Sequence, residues 1–192
     1  MASSLGCGDR VPQGKERELG LLNATIPSQM VSYLDFAWRD FTSTVRPQHV
    51  VVAAPAGWAS AVPDDRYAAW LRSPAGRRLD GRDVFAVGVD CAGACEPKAW
   101  PEVLDAVLRR EVPDDGLLGD EALPDGGRIR WGRQGKIATA YAVWARPTDS
   151  SYRRCFARLL DPDLVDAITV FAAACKTARW LDPGAATPRS GT

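Results

Sequence analysis

The spacing of apolar positions changes period several times along this chain. In "DVFAVGVD" (83–90), Val84, Ala86 and Gly88 fall on one face and Phe85, Val87 and Val89 on the other. Both faces are apolar or small, which predicts a central strand covered on two sides. "HVVVAAP" is a short apolar run ended by Pro55 and predicts a buried strand. "RIRWGRQGKIATAYAVWARP" predicts a hairpin turning near Arg133 to Lys136, and "YRRCFARLL" a further strand. "KAWPEVLDAVLRREV" switches to the helical period, with Val103, Leu104, Val107 and Leu108 as the buried stripe and Pro101 in the first turn. A last helix is predicted from Pro162 to about Arg179, N-capped by Asp161, with Leu164, Ile168, Phe171 and Cys175 on one face.

Other stretches read less cleanly. "DRYAAWLRS" predicts a short helix with Tyr67, Trp70 and Leu71 on one side, stopped before Pro74. "VSYLDFAWRDFTSTV" fits neither period and stays open as helix or strand. "VPDDGLLGDEALPDGG" predicts a long acidic loop with three turn signals. Residues 1–18 are polar and aperiodic and predict a disordered or tethering arm; 182–192 predict a disordered tail. One domain is therefore expected over 19–181. No apolar run approaches the roughly 20 residues that span a bilayer, and no signal peptide is visible at "MASSLGCGDR".

Strands, a helix, a meander of three strands and a final helix predict an α+β domain. Its sheet is expected to be mostly antiparallel and covered by helices, with the C-terminal helix packed on it. "HVVVAAPAGW", followed by a strand meander and one C-terminal helix, is similar to the PsbP-like α/β/α sandwich family, in which an early strand often ends in a Pro-Gly-Trp turn. The resemblance runs from about His49 to Arg179. It implies a rigid binding or assembly module, often extracytoplasmic, and no shared catalytic residues.

Composition adds little to the fold but narrows the function. Twenty-four basic residues balance 24 acidic ones, so no charge footprint for nucleic acid or an anionic membrane surface is present. The preference for Arg over Lys, with abundant Ala, fits a GC-rich bacterial coding bias. His49 is the one histidine. Zinc sites built on two or three His are thereby impossible, and a Ser-His-Asp or Cys-His arrangement would need His49 itself. No nucleophile elbow, Walker A loop or dinucleotide fingerprint occurs. Catalytic and metal-binding residues are accordingly expected to be none, as are cofactors. Seven tryptophans exceed what the core needs. Trp58, Trp131 and Trp144, with neighbouring arginines, are candidates for a partner-binding patch. Asp114, Asp115, Asp120 and Glu121 could present the acidic loop to a basic partner; the plainer expectation for all these residues is core packing and solvated turns.

The cysteines point to a compartment. "SLGC" resembles the end of a bacterial lipobox, making Cys7 a lipidation candidate, although Ser4 stands where the lipobox wants an aliphatic residue. Cys155 alternates in phase with Ala157 and Leu159, and Cys175 lies on the apolar face of the helix expected to cover that strand. A Cys155–Cys175 bridge is therefore preferred, which leaves Cys91 and Cys95 to pair across a small loop; four cysteines allow three connectivities. Zinc and a thioredoxin-like redox centre fit the spacings less well, and four reduced thiols in a cytoplasmic protein remain the alternative. Disulfides imply a periplasmic or cell-surface location, with any membrane attachment through Cys7.

The expectation is a non-catalytic, lipoprotein-like envelope module that binds a protein partner, either a basic toxin neutralised by it as an immunity protein or an envelope component. Two alternatives stand beside it. One is an enzyme of unfamiliar type using loop carboxylates or the Cys91/Cys95 pair; the other is a small-ligand carrier with its site between sheet and helix.

Overall fold

A computed structural model describes residues 13–43, 48–61, 64–76, 79–91, 100–146 and 151–181. Its elements, in chain order, are α1 (Gln13–Ala24), β1 (Phe36–Ser43), β2 (Gln48–Pro55), β3 (Ala59–Ser60), β4 (Tyr67–Arg72), β5 (Val84–Cys91) and α2 (Trp100–Glu111). There follow β6 (Leu117–Ala122), β7 (Arg128–Gln134), β8 (Ile137–Ala145), β9 (Ser151–Leu159), α3 (Ile168–Lys176) and β10 (Arg179–Trp180). The fold is α+β, and every strand pairing in it is antiparallel.

A seven-stranded sheet in the order β3-β4-β5-β9-β8-β7-β6 forms the centre, and a smaller sheet, β1-β2-β10, packs beside it. Strand β9 enters between β5 and β8, so the chain's last long strand holds the two halves of the sheet together. The large sheet is covered unequally. On one face α3 and the small sheet bury Val50, Val52, Phe85, Val87, Cys155 and Phe171 in the main core. Phe171 meets Phe36 edge-on at 5.2 Å and Trp58 at 5.5 Å. On the other face, among the described residues, lies α2 alone, whose Leu104, Val107 and Leu108 pack on Tyr141, Val143 and Tyr152. The strands at the β4–β5 end of that face have no helix over them among the described residues.

Local contacts explain the ends of the small sheet. Asn23, in the last turn of α1, both donates to and accepts from the Phe36 backbone (Nδ2 to O 3.0 Å, N to Oδ1 2.9 Å), so its amide serves as a strand partner. Thr177, just past α3, accepts the Ala53 N–H at 2.8 Å and donates to the Ala174 carbonyl at 2.7 Å, which fixes the helix end to β2. Pro55 ends β2, Gly57 supplies the positive φ of the turn (+71°), and Trp58 swings back into the core.

Four sequence expectations are corrected. "DRYAAWLRS" forms β4, not a helix. A bulge between Tyr67 and Ala69 inserts one residue, so Tyr67 and Trp70, three apart, share a face and imitate helical spacing. The expected acidic loop contains β6, an edge strand in which only Leu117 and Gly119 are half-buried and the rest is exposed, too short an alternation to detect. The last helix is shorter than expected: Asp161 closes a turn through its carboxylate and the Asp163 N–H (2.9 Å), a 3-10 turn covers Val165–Ala167, and Arg179–Trp180 is pulled into the β10 pairing with β2. Finally, α1 begins at Gln13, inside the stretch expected to be an arm, and the Lys15 carbonyl accepts the Trp38 indole N–H at 2.9 Å. Of the open stretch 31–45, residues 31–43 form a turn leading into β1, and 44–45 lie outside the described residues. Residues 1–12 and 182–192 lie outside the described residues.

Candidate functional site

The half-covered face of the large sheet carries a cavity of about 570 Å³. Its floor comes from one face of β4, β5, β9 and β8. Along β9, alternation sends Arg154, Phe156 and Arg158 to this face and Cys155, Ala157 and Leu159 to the core. One wall is the end of α2 with the segment after it, contributing Arg110, Glu111 and Val112.

Four rings pave the floor. Tyr67 meets Trp70 edge-on at 4.7 Å, Trp70 meets Phe156 edge-on at 5.6 Å, and Tyr141 stacks on Phe156 at 5.5 Å with 14° between planes. The bulge in β4 is what delivers both Tyr67 and Trp70 to this set. Across the sheet, Tyr67, Gly88 and Arg154 lie in register on three adjacent strands. Gly88 carries no side chain, so the Arg154 guanidinium can cross β5 and lie 4.6 Å from the Tyr67 ring centre and 5.7 Å from that of Phe156. A Cβ at Gly88 would also sit 2.2 Å from the Arg66 carbonyl oxygen.

Arg154 is 7% exposed. Its Nη1 pairs with Asp90 Oδ2 at 2.6 Å and donates to the Tyr141 hydroxyl at 3.3 Å. Burial works against its charge, but Tyr141, Tyr67 and Asp90 outweigh that and hold its pKa above the usual arginine value. Burial raises the pKa of Tyr141, Tyr67 and Tyr152, so all three stay neutral phenols at physiological pH. The lining includes five guanidinium groups, Arg82, Arg110, Arg133, Arg154 and Arg158, against two carboxylates, Glu111 and Asp115. Concave, floored by aromatic rings and positively biased, the cavity is suited to holding a small, flat, electron-rich molecule.

The candidates from sequence lie elsewhere. Trp58, Trp131 and Trp144 are 4%, 8% and 4% exposed, so they are core side chains and not a surface patch. Trp131 packs under the Lys176 ammonium (4.9 Å), and Trp144 bonds Asp125 through its indole N–H (2.8 Å). The acidic residues are largely engaged by the chain's own cations. Asp114 pairs with Arg109 and Arg130, Asp120 with Arg128 and Arg130, and Glu121 with Lys176. Arg130 holds the carboxyl of Asp114 below the usual range. Asp115 is the exception and lines the cavity. Cys155 and Cys175 form a disulfide that ties β9 to α3. Cys91 is also disulfide-bonded, whereas Cys95 and Cys7 lie outside the described residues. His49 pairs with Asp40 at 2.8 Å on the small sheet, away from the cavity.

One carboxylate cluster among the described residues, Asp80, Asp83 and Asp161, has oxygens within 4.8 Å of one another. Asp83 is already spoken for by donors: the Ser73 hydroxyl (2.8 Å) and the backbone N–H groups of Leu160 (2.8 Å) and Asp161 (3.0 Å). It acts as a buckle between the end of β4 and the end of β9.

No protein-family model matches the chain, and no curated protein matches it in sequence. Among solved structures it is similar to the solution structure of cyanobacterial PsbP (CyanoP) from Synechocystis sp. PCC 6803. That likeness has a TM-score of 0.48 and 11% identity, and covers 76% of this chain and 93% of that one.

Proposed function

We propose that the protein is a non-catalytic binding protein whose ligand is a small molecule held in the cavity between the large sheet and the end of α2. The observation that carries this reading is the cavity itself: about 570 Å³, floored by four aromatic rings and lined by five arginines. Its size lies within the range of small-ligand sites. Its lining among the described residues includes tyrosines, a threonine, a glutamine, arginines and two carboxylates, and no Ser, Cys, Lys or His. Those groups suit holding and orienting better than nucleophilic attack. Glu111, one of the carboxylates, is paired with Arg110 at 2.7 Å.

An extracytoplasmic home is part of the same proposal, supported by the Cys155–Cys175 bridge and the second disulfide at Cys91. Partner binding through the acidic segment 114–121 is not favoured, because Asp114, Asp120 and Glu121 already serve internal pairs.

Ligand-observed NMR with a set of aromatic acids, aromatic amides and aliphatic acids tests the reading. Aromatic compounds are expected to bind, and Phe156→Ala is expected to abolish the signal while the protein stays folded. Binding that survives Phe156→Ala unchanged overturns the assignment to this cavity.

A further inference from the structure

Arg154 has five N–H donors, and only its Nη1 side is used, by Asp90 and Tyr141. Nε and Nη2 have no acceptor and are shielded from water. An arginine so deeply buried with two idle donors is unusual, because each costs the desolvation of a charged group without a bond in return. The Nε/Nη2 pair is also a specific shape. It is one edge of the guanidinium, with two parallel N–H bonds spaced for the two oxygens of a carboxylate or phosphate.

Arg158 lies four residues further along the same face of β9, with Phe156 between them, and lines the cavity. Among the described residues its side chain has no hydrogen-bond or ion-pair partner. The other arginines of the lining are occupied: Arg82 by Asp80, Arg110 by Glu111 and Arg133 by Asp166 (3.1 Å). The cavity therefore holds one buried open fork and one open guanidinium, on either side of a ring that is itself stacked and edge-packed by its neighbours.

We propose that the ligand of this cavity is an aromatic oxyanion. Its carboxylate or phosphate takes the Nε/Nη2 edge of Arg154, its ring lies against Phe156 within the Trp70–Tyr141 frame, and Arg158 meets its outer end. This rests on the reading of the cavity as a small-ligand site. Because the fork is shielded, its engagement requires the side chains packed around the guanidinium to shift. A neutral amide of the same shape satisfies the floor and offers the fork a single uncharged carbonyl oxygen, so the acid is selected by the second, charge-assisted bond that the amide lacks.

Isothermal titration of the full chain with naphthoate, naphthyl phosphate and naphthamide tests this. One or both anions are expected to bind about tenfold or more tightly than the amide, as the second, charge-assisted bond implies; which anion is preferred tells carboxylate from phosphate. Arg154→Lys keeps a charge but loses the fork, and is expected to erase most of the gap. Arg158→Gln, at an exposed position, is expected to weaken the anions several-fold and leave the amide unchanged; it keeps the test decisive should Arg154→Lys not fold. Amide binding as tightly as the acids overturns the oxyanion assignment and leaves the cavity reading standing. An acid preference unmoved by the arginine substitutions also overturns it. If none of the three binds, both the assignment and the cavity reading fall.

Discussion

Arg154 and Cys155 are neighbours in β9 and serve opposite faces of the large sheet. The Cys155 sulfur is bonded to Cys175 of α3 in the main core, while the Arg154 guanidinium lies under Tyr67 at the edge of the cavity. The strand that forms the cavity floor is thus held from behind by a covalent tie to the helix packed on it. A strand held in this way keeps the cavity floor in place while the side chains around the guanidinium shift, so the ordering cost of binding is confined to side chains.

Removing that tie is expected to lower stability without removing the site. The bridge closes a separation of 20 residues, which the chain-entropy treatment places at about 3 kcal/mol. Urea denaturation of the chain with Cys155 and Cys175 both replaced by Ala is expected to show that loss. Aromatic-acid binding at temperatures well below the transition is expected to persist.

Gly88→Ala is expected to harm both fold and site. The added Cβ would meet the Arg66 carbonyl oxygen at 2.2 Å, a backbone atom that cannot swing away. Displacing the bulge costs about 1–3 kcal/mol, the usual range for overpacking, and moves Tyr67 off Arg154. Thermal unfolding and titration with naphthoate read the two effects separately.

Gly119→Ala tests the edge strand. A Cβ there would fall 2.1 Å from the Trp131 ring, which lies across Gly119 in β6. A loss of about 1–3 kcal/mol is expected, seen in the denaturation midpoint. Ligand affinity is expected to stay unchanged, since Trp131 faces the core and not the cavity.

Alkaline pH is expected to unfold the protein early. Burial raises the folded-state pKa of Tyr141, Tyr67 and Tyr152 above the ordinary value of 10.0. The stabilisation is therefore complete below about pH 10 and is lost as pH rises from there through the folded-state values, because the unfolded chain releases those protons first. Denaturation midpoints measured across that range are expected to fall steeply. Tyr141→Phe is expected to flatten the fall; a flat profile in the unmodified chain would contradict the burial of these phenols.

Much of the fold was legible in the sequence because several elements keep one period throughout. In β5, residues 84–89 are all buried, as their two apolar faces require, and the stripe of Leu104, Val107 and Leu108 in α2 repeats as a helix should. The failures have physical causes. The β4 bulge disguises a strand as a helix turn, and β6 carries exposed charges and a glycine on an edge where the alternation in burial is too short to detect. The cavity was not legible, because Tyr67, Tyr141 and Arg154 come together only once β9 inserts between β5 and β8. One signal was present in "YRRCFARLL". Arg154, Phe156 and Arg158 alternate on the face opposite Cys155, so charge flanking a ring stood on a strand that had to be interior.

The most direct test of the account is a chemical-shift map of the 20.8 kDa chain titrated with naphthoate. Saturable shifts confined to the backbone and side chains around Tyr67, Trp70, Tyr141, Arg154 and Phe156 are predicted. Shifts centred on β6, or scattered shifts that do not saturate, would contradict the assignment of the cavity as the protein's binding site.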